Sequence, residues 1–380
     1  MRNLSKASAP ALIITASFLV FSPAPYGNIP ENTKYPMDIV DRPGAALPLP
    51  AEILGSTGTG DGSAFQEDAV QVAAAAATTV PAPKPFRLYY NFTFANQPQG
   101  LDKCGLTRLP LLTASYFFKG GKIRDEIDTA HIDSKLEEIR KVAAGSADRL
   151  AIVNIEGSWS IKRTDQPAAV RQKADRYIAL HRYLKQKLGS GLRYGIYGEA
   201  PVKDFFGYQT SYFGNPASVQ YPEFVQAPPL LARANAEASR LGAAVDALFP
   251  SYYVNWYDDV GTTAEARRKK TLEVWTTMVQ RSMKLALQWK KPVYPFIWMQ
   301  FHNKLNQPVL ANKFLPRRYF RHQLDTLKKQ GASGAVIWGT LGPDGTGRAR
   351  FDKNADWWKE YLAFAKANGA NLAKCTHLPG

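Results

Sequence analysis

Cysteine is scarce in this chain, with two in 380 residues, and the five histidines are scattered. No Cys/His spacing therefore suggests a zinc site, and no metal is expected. Long apolar runs are missing too, apart from residues 11–21, so no other stretch approaches the length of a membrane span. No Gly-x-Gly-x-x-Gly or phosphate-binding loop follows any candidate strand, which argues against a nucleotide-binding sheet and a nucleotide cofactor. Residues 25–85 contain no tryptophan and are rich in Pro, Ala, Gly, Ser and Thr. Such a segment buries too little apolar surface to offset its ordering entropy, so it reads as a disordered linker.

What is present begins with Arg2 and Lys6, the apolar run 11–21, then Ser22, Pro23 and Ala24. These are the three regions of a secretory signal over residues 1–24, and they place the protein outside the cell or in a periplasm. An uncleaved anchor is the alternative, and only then is a membrane a partner. Residues 86–380 form the folded domain. The apolar fraction of 45% supplies a sizeable core, and this region carries 43 basic against 25 acidic residues, a balance of +18. An exported domain this basic is drawn to anionic polymers, without specific nucleic-acid recognition, and is expected to act as a monomer. In an oxidising compartment Cys104 and Cys375 are expected to be bridged, tying the start of the domain to its end.

Within 86–380, strands are expected at 86–94, 109–118, 150–155, 192–199, 247–256, 292–300 and 334–339. Helices are expected at 132–144, 168–188, 230–241, 263–289, 318–330 and 354–367. Strands alternating with helices at roughly 40-residue intervals mean βαβ units and a parallel sheet. The fold class is therefore α/β, and about seven parallel strands fit an irregular, TIM-like (β/α) barrel.

The stretch 150–159 organises the rest. A buried apolar strand closes on Asn154 and Glu156, with Trp159 just beyond. A carboxylate at the C-terminal end of a barrel strand stands where barrel chemistry sits. The other strand ends add Tyr197 and Glu199, Tyr252, Tyr253 and Trp256, Trp298 and Gln300, and Trp338. Aromatic faces stack on sugar rings while their polar tips bond hydroxyls, so the recurrence of these residues points to a saccharide site.

The ordered pieces Ile-Val-Asn-Ile-Glu-Gly-Ser-Trp (152–159), Tyr-Gly-Ile-Tyr-Gly-Glu-Ala-Pro (194–201), Ala-Leu-Phe-Pro-Ser-Tyr-Tyr-Val (247–254), Pro-Val-Tyr-Pro-Phe-Ile-Trp (292–298) and Gly-Ala-Val-Ile-Trp-Gly (334–339) resemble the hyaluronidase family of animal tissues and venoms. The resemblance covers about residues 86 to 375. It implies a seven-stranded barrel, a disulfide between Cys104 and Cys375, Glu156 as catalytic acid, Tyr197 and Tyr253 as site tyrosines, and Trp338 beside the substrate's acetamido group.

The implied reaction is hydrolysis of a polysaccharide containing 2-acetamido sugars, without a cofactor. The sugar's own acetamido oxygen attacks the anomeric carbon while the acid protonates the leaving oxygen. Where the family has Asp two residues before the acid, this chain has Asn154. One group of endo-N-acetylglucosaminidases uses an Asn-x-Glu pair in the same way, so Asn154 orients the acetamido group on this expectation. The assigned catalytic set is Glu156, Asn154, Tyr197 and Tyr253; Trp159, Glu199, Tyr252, Trp256, Trp298 and Trp338 are expected to bind substrate. Two alternatives stay open: a two-carboxylate glycosidase pairing Glu156 with Glu199 or Asp258, and a polysaccharide-binding barrel without turnover.

Overall fold

A computed structural model describes residues 85–146, 148–162, 165–203, 228–255, 257, 263–303, 308–339, 341–342, 347–373 and 375. The expected leader and, apart from Pro85, the expected linker lie outside the described residues, as do Trp256 and Asp258.

The strands are β1 (Arg87–Phe92), β2 (Leu106–Arg108), β3 (Leu111–Thr113), β4 (Leu150–Asn154), β5 (Arg193–Tyr197), β6 (Ala247–Phe249), β7 (Phe296–Trp298) and β8 (Gly334–Gly339). The helices are α1 (Thr129–Ala144), α2 (Pro167–Leu188), α3 (Pro228–Ala244), α4 (Ala264–Gln288), α5 (Arg317–Lys329) and α6 (Asp356–Ala367). All ladders between named strands are parallel, in the orders β2-β1-β8-β7 and β3-β4-β5-β6.

Two seams join the sheets into a ring. At one, β2 runs through Leu109 and Pro110 into β3; the Leu109 N–H donates to Tyr90 O, and Pro110 O accepts from the Ile152 N–H. At the other, the bridges Leu248 to Val293 and Ser251 to Phe296 connect β6 with β7. With β2 and β3 counted as one bent strand, seven staves close an irregular (β/α) barrel. The expected count holds.

Two expected strands are corrected. The segment expected at 109–118 pairs earlier, over 106–113, and 114–121 turns away in two short 3-10 turns. Pro110 is the cause: it has no N–H, so the ladder cannot continue straight past it, and the strand bends from one sheet to the other. The segment expected at 247–256 ends its ladder to β5 at Phe249, while its pairing to β7 runs on through Pro250 O, which accepts from the Phe296 N–H, and the Ser251–Phe296 bridge.

Helix ends shift for equally local reasons. Helix α1 begins three residues early because the Asp128 side chain accepts from the His131 N–H. Helix α3 runs on through Gly242, where the Trp289 ring occupies the space a Cβ would need. That glycine permits close packing and does not stop the helix.

Strand β4 is fully buried from Leu150 to Val153, as its apolar run requires. At the opposite end of the barrel from its mouth, Asp246 ties three elements together. It accepts from the Tyr194 N–H of β5 at 2.9 Å and faces His181 Nε2 at 3.2 Å and Lys185 Nζ at 3.1 Å, both on α2. Burial alone would raise its pKa, yet these partners outweigh it and hold the carboxyl well below the usual range. The Cys104–Cys375 disulfide spans 271 residues, and the Tyr361 hydroxyl of α6 donates to Cys104 O. Among the described residues no helix is long and apolar enough to cross a membrane.

Candidate active site

Glu156 follows directly on β4, where the barrel's C-terminal rim opens, and its side chain is 60% exposed. The backbone on either side is tied down. The buried Tyr177 hydroxyl of α2 donates to Ile155 O at 2.5 Å, and the Trp159 indole N–H donates to Arg124 O at 2.6 Å. Gly157 adopts φ +77°, a conformation that favours glycine and turns the chain away immediately after the acid. Glu156 is thus an accessible carboxyl on an anchored stem.

At the end of β5, the Tyr197 hydroxyl lies 3.1 Å from Ser251 Oγ and 3.2 Å from Tyr253 Oη and donates to one of the two. Both tyrosine hydroxyls are pushed up by burial, so they remain protonated donors. Tyr253 lies near Trp338 (centroids 5.9 Å) and Trp298 (5.5 Å), and Trp298 meets Trp338 edge-on at 4.9 Å. Trp338 is the partly exposed member of this aromatic layer. The structure therefore gathers Glu156, Tyr197, Tyr253 and Trp338 at one end of the barrel, with Asn154 two residues before the acid. The Asn154 Oδ1 is buried and has no hydrogen-bond partner among the described residues.

Other assignments are corrected. Trp159 is wholly buried between Phe118 and Tyr177; its task is to pin the loop, not to face a ligand. Tyr252 is buried toward α4, and its carbonyl accepts from the Trp275 indole N–H. With the ladder to β5 ended at Phe249, strand alternation cannot tell Tyr252 from Tyr253. Trp298 is also buried, donating to Gln300 Oε1, and packs behind Trp338 in place of forming the wall. Gln300 in turn clamps Asn312 O and Leu341 O.

Glu199 is buried as well. Its Oε2 accepts from the Ile161 N–H at 3.0 Å and its Oε1 lies 3.6 Å from Lys203 Nζ. Burial pushes this carboxyl up, with Lys203 and the Ile161 N–H pulling against it.

Lys203 itself had no signal in the sequence. Its Nζ lies 3.5 Å from Glu156 Oε1 and sits over the Tyr197 ring at 4.8 Å. Gly198 makes that placement possible. It adopts φ +69°, the Lys203 N–H bonds back to Gly198 O, and the Lys203 stem passes where a Cβ of residue 198 would be. Burial by itself disfavours the ammonium, but Glu156 and Glu199 outweigh it and hold Lys203 above its ordinary value. His302, packed against Trp298 and Tyr253, is a second neighbour of the site that the spacing does not reveal. Among the described residues no group of His, Cys, Asp or Glu side chains converges as a metal site would.

The fold and the position of this cluster define a (β/α) barrel with its candidate site at the C-terminal rim. No family model and no curated protein matches the chain. Solved structures do. Bee venom hyaluronidase in complex with a hyaluronic acid tetramer aligns over 76% of this chain and 97% of its own, at 14% identity and a TM-score of 0.42. A further bee venom hyaluronidase structure gives 13% identity and 0.40, covering 76% of this chain and 98% of its own. An endo-1,4-β-D-mannanase from Thermotoga petrophila gives 13% and 0.40, over 69% and 76%. At these values they are neighbours in coarse architecture, and the chemistry rests on this chain's own side chains.

Proposed function

We propose that this protein is an exported glycoside hydrolase acting on a polysaccharide that contains 2-acetamido sugars, with Glu156 as the general acid and base. The observation that carries this is the exposed Glu156 carboxyl on a pinned stem, beside Tyr197, Tyr253 and Trp338. In the proposed reaction Glu156 protonates the leaving oxygen while the substrate's acetamido oxygen attacks the anomeric carbon. Asn154 orients the acetamide: its unpartnered Oδ1 is an acceptor suited to the acetamido N–H. Tyr197 and Tyr253 donate to the sugar, and Trp338 offers an apolar face.

Glu199, one of the two partners a two-carboxylate mechanism could recruit, is buried and occupied by Ile161 and Lys203, which weighs against its pairing with Glu156; Asp258, the other, lies outside the described residues. The resemblance to hyaluronidases and the +18 balance favour an anionic polymer as substrate.

The test is a panel of hyaluronan, chondroitin, chitin and peptidoglycan-type glycans. Glu156→Gln is expected to lose at least about 100-fold in kcat on whichever polymer the wild type cleaves, while retaining binding. A wild type that binds but cleaves none of them would make this a binding barrel. Equal turnover by both proteins would remove Glu156 from the chemistry.

A further inference from the structure

The buried cation at the site does not belong to the constellation that the strand ends supply. Lys203 is 8% exposed at its side chain and reaches two carboxylates at once: Glu199, 2% exposed, and Glu156, 60% exposed. Its path is built in. The turn after β5 brings the Lys203 N–H back to Gly198 O, Glu199 and Val202 form a bridge, and the side chain lies along Gly198 over Tyr197. Glu199 faces inward and is held by the Ile161 N–H, so that carboxylate secures the lysine from behind. On its other side the ammonium lies 3.5 Å from Glu156 Oε1.

Resting on the reading of Glu156 as the acid, we propose that Lys203 is a positioning residue: its ammonium, anchored by Glu199, holds the Glu156 carboxyl at the barrel mouth and balances the negative charge left when that carboxyl donates its proton. The proton goes to the glycosidic oxygen as its bond to the anomeric carbon breaks, and Glu156 becomes a carboxylate 3.5 Å from Nζ. An ammonium held this close, largely out of water, favours that product.

The other titratable groups that act on Glu156 among the described residues are Tyr177 of α2, Tyr197 of β5, Tyr253 beyond β6, and Glu199. The three tyrosines are all pushed up, which leaves them neutral, so Lys203 and Glu199 are the charges that compete for Glu156. Among the described residues, removing the cation leaves the repulsion from Glu199.

The experiment uses the full chain with labelled glutamate. The Glu156 carboxyl is followed by carbon NMR, assigned by its loss in Glu156→Gln, alongside the pH profile of kcat. Four variants are compared with wild type: Lys203→Met, Lys203→Arg, Glu199→Gln, and the double change Glu199→Gln with Lys203→Met. The double variant leaves no unpaired buried charge and so guards against misfolding.

Losing the cation in Lys203→Met is expected to move the Glu156 midpoint and the alkaline limb of kcat together to higher pH, and arginine to leave both in place. In the double variant, read against Glu199→Gln alone so that the lost repulsion cancels, an unmoved midpoint would overturn the coupling, whatever the activity. A moved midpoint in a protein inert on every polymer would keep the coupling and overturn the catalytic reading. A moved midpoint with an unmoved kcat profile would overturn the role in proton donation.

Discussion

Between Ile155 and Trp159 the chain is fastened at both ends by buried donors, and the carboxyl they bracket stays exposed to solvent beside Lys203. The fastening at Ile155 is a single hydroxyl, that of Tyr177. Tyr177→Phe leaves Ile155 O buried without a partner, at a cost of about 1–3 kcal/mol. Urea unfolding is expected to report that loss, and steady-state kinetics a lower kcat with KM little changed, because the acid loses its setting while the sugar contacts remain.

At this scale Glu156 was legible, since an apolar run ending in an acid is a pattern one strand long. Lys203 was not. Its place depends on the left-handed turn at Gly198 and on a burial partner four residues back, neither of which appears in composition or spacing. Trp159 misled because a tryptophan after a strand looks the same whether it anchors a loop or stacks on a sugar.

Asp246 is the main example at the level of elements, because one side chain joins α2, β5 and β6. Its folded-state pKa is depressed, so its stabilisation is fully present above the ordinary aspartate value and is lost as pH falls through and below it. Thermal unfolding is expected to weaken steeply as pH drops below about 4, and Asp246→Asn to flatten that slope while lowering stability at neutral pH.

Among the described residues, seven staves, six helices and their order could be read from periodicity, because buried parallel strands and amphipathic helices impose different repeats. The seams could not. Pro110 bends one strand across two sheets, and at Pro250 another leaves β5 while staying paired to β7; both effects depend on which neighbour needs the missing N–H.

Across the whole molecule, the ring closes where β1 pairs with β8, so the first and last strands are neighbours. Close to that seam the disulfide joins Cys104 to Cys375. Closing a loop this long is worth roughly 5 kcal/mol on the chain-entropy model. Replacing both cysteines by serine is expected to lower the melting temperature by about 10 °C, measured by calorimetry without reductant. The bridge was expected from an exported pair of thiols.

The same bond gives the domain an unusual tolerance to cutting. A protease that severs the backbone once, anywhere between residues 104 and 375, produces two pieces that remain one covalent molecule. Nicked and intact protein would then share a mass to within one water, and only a reducing agent would let the halves part.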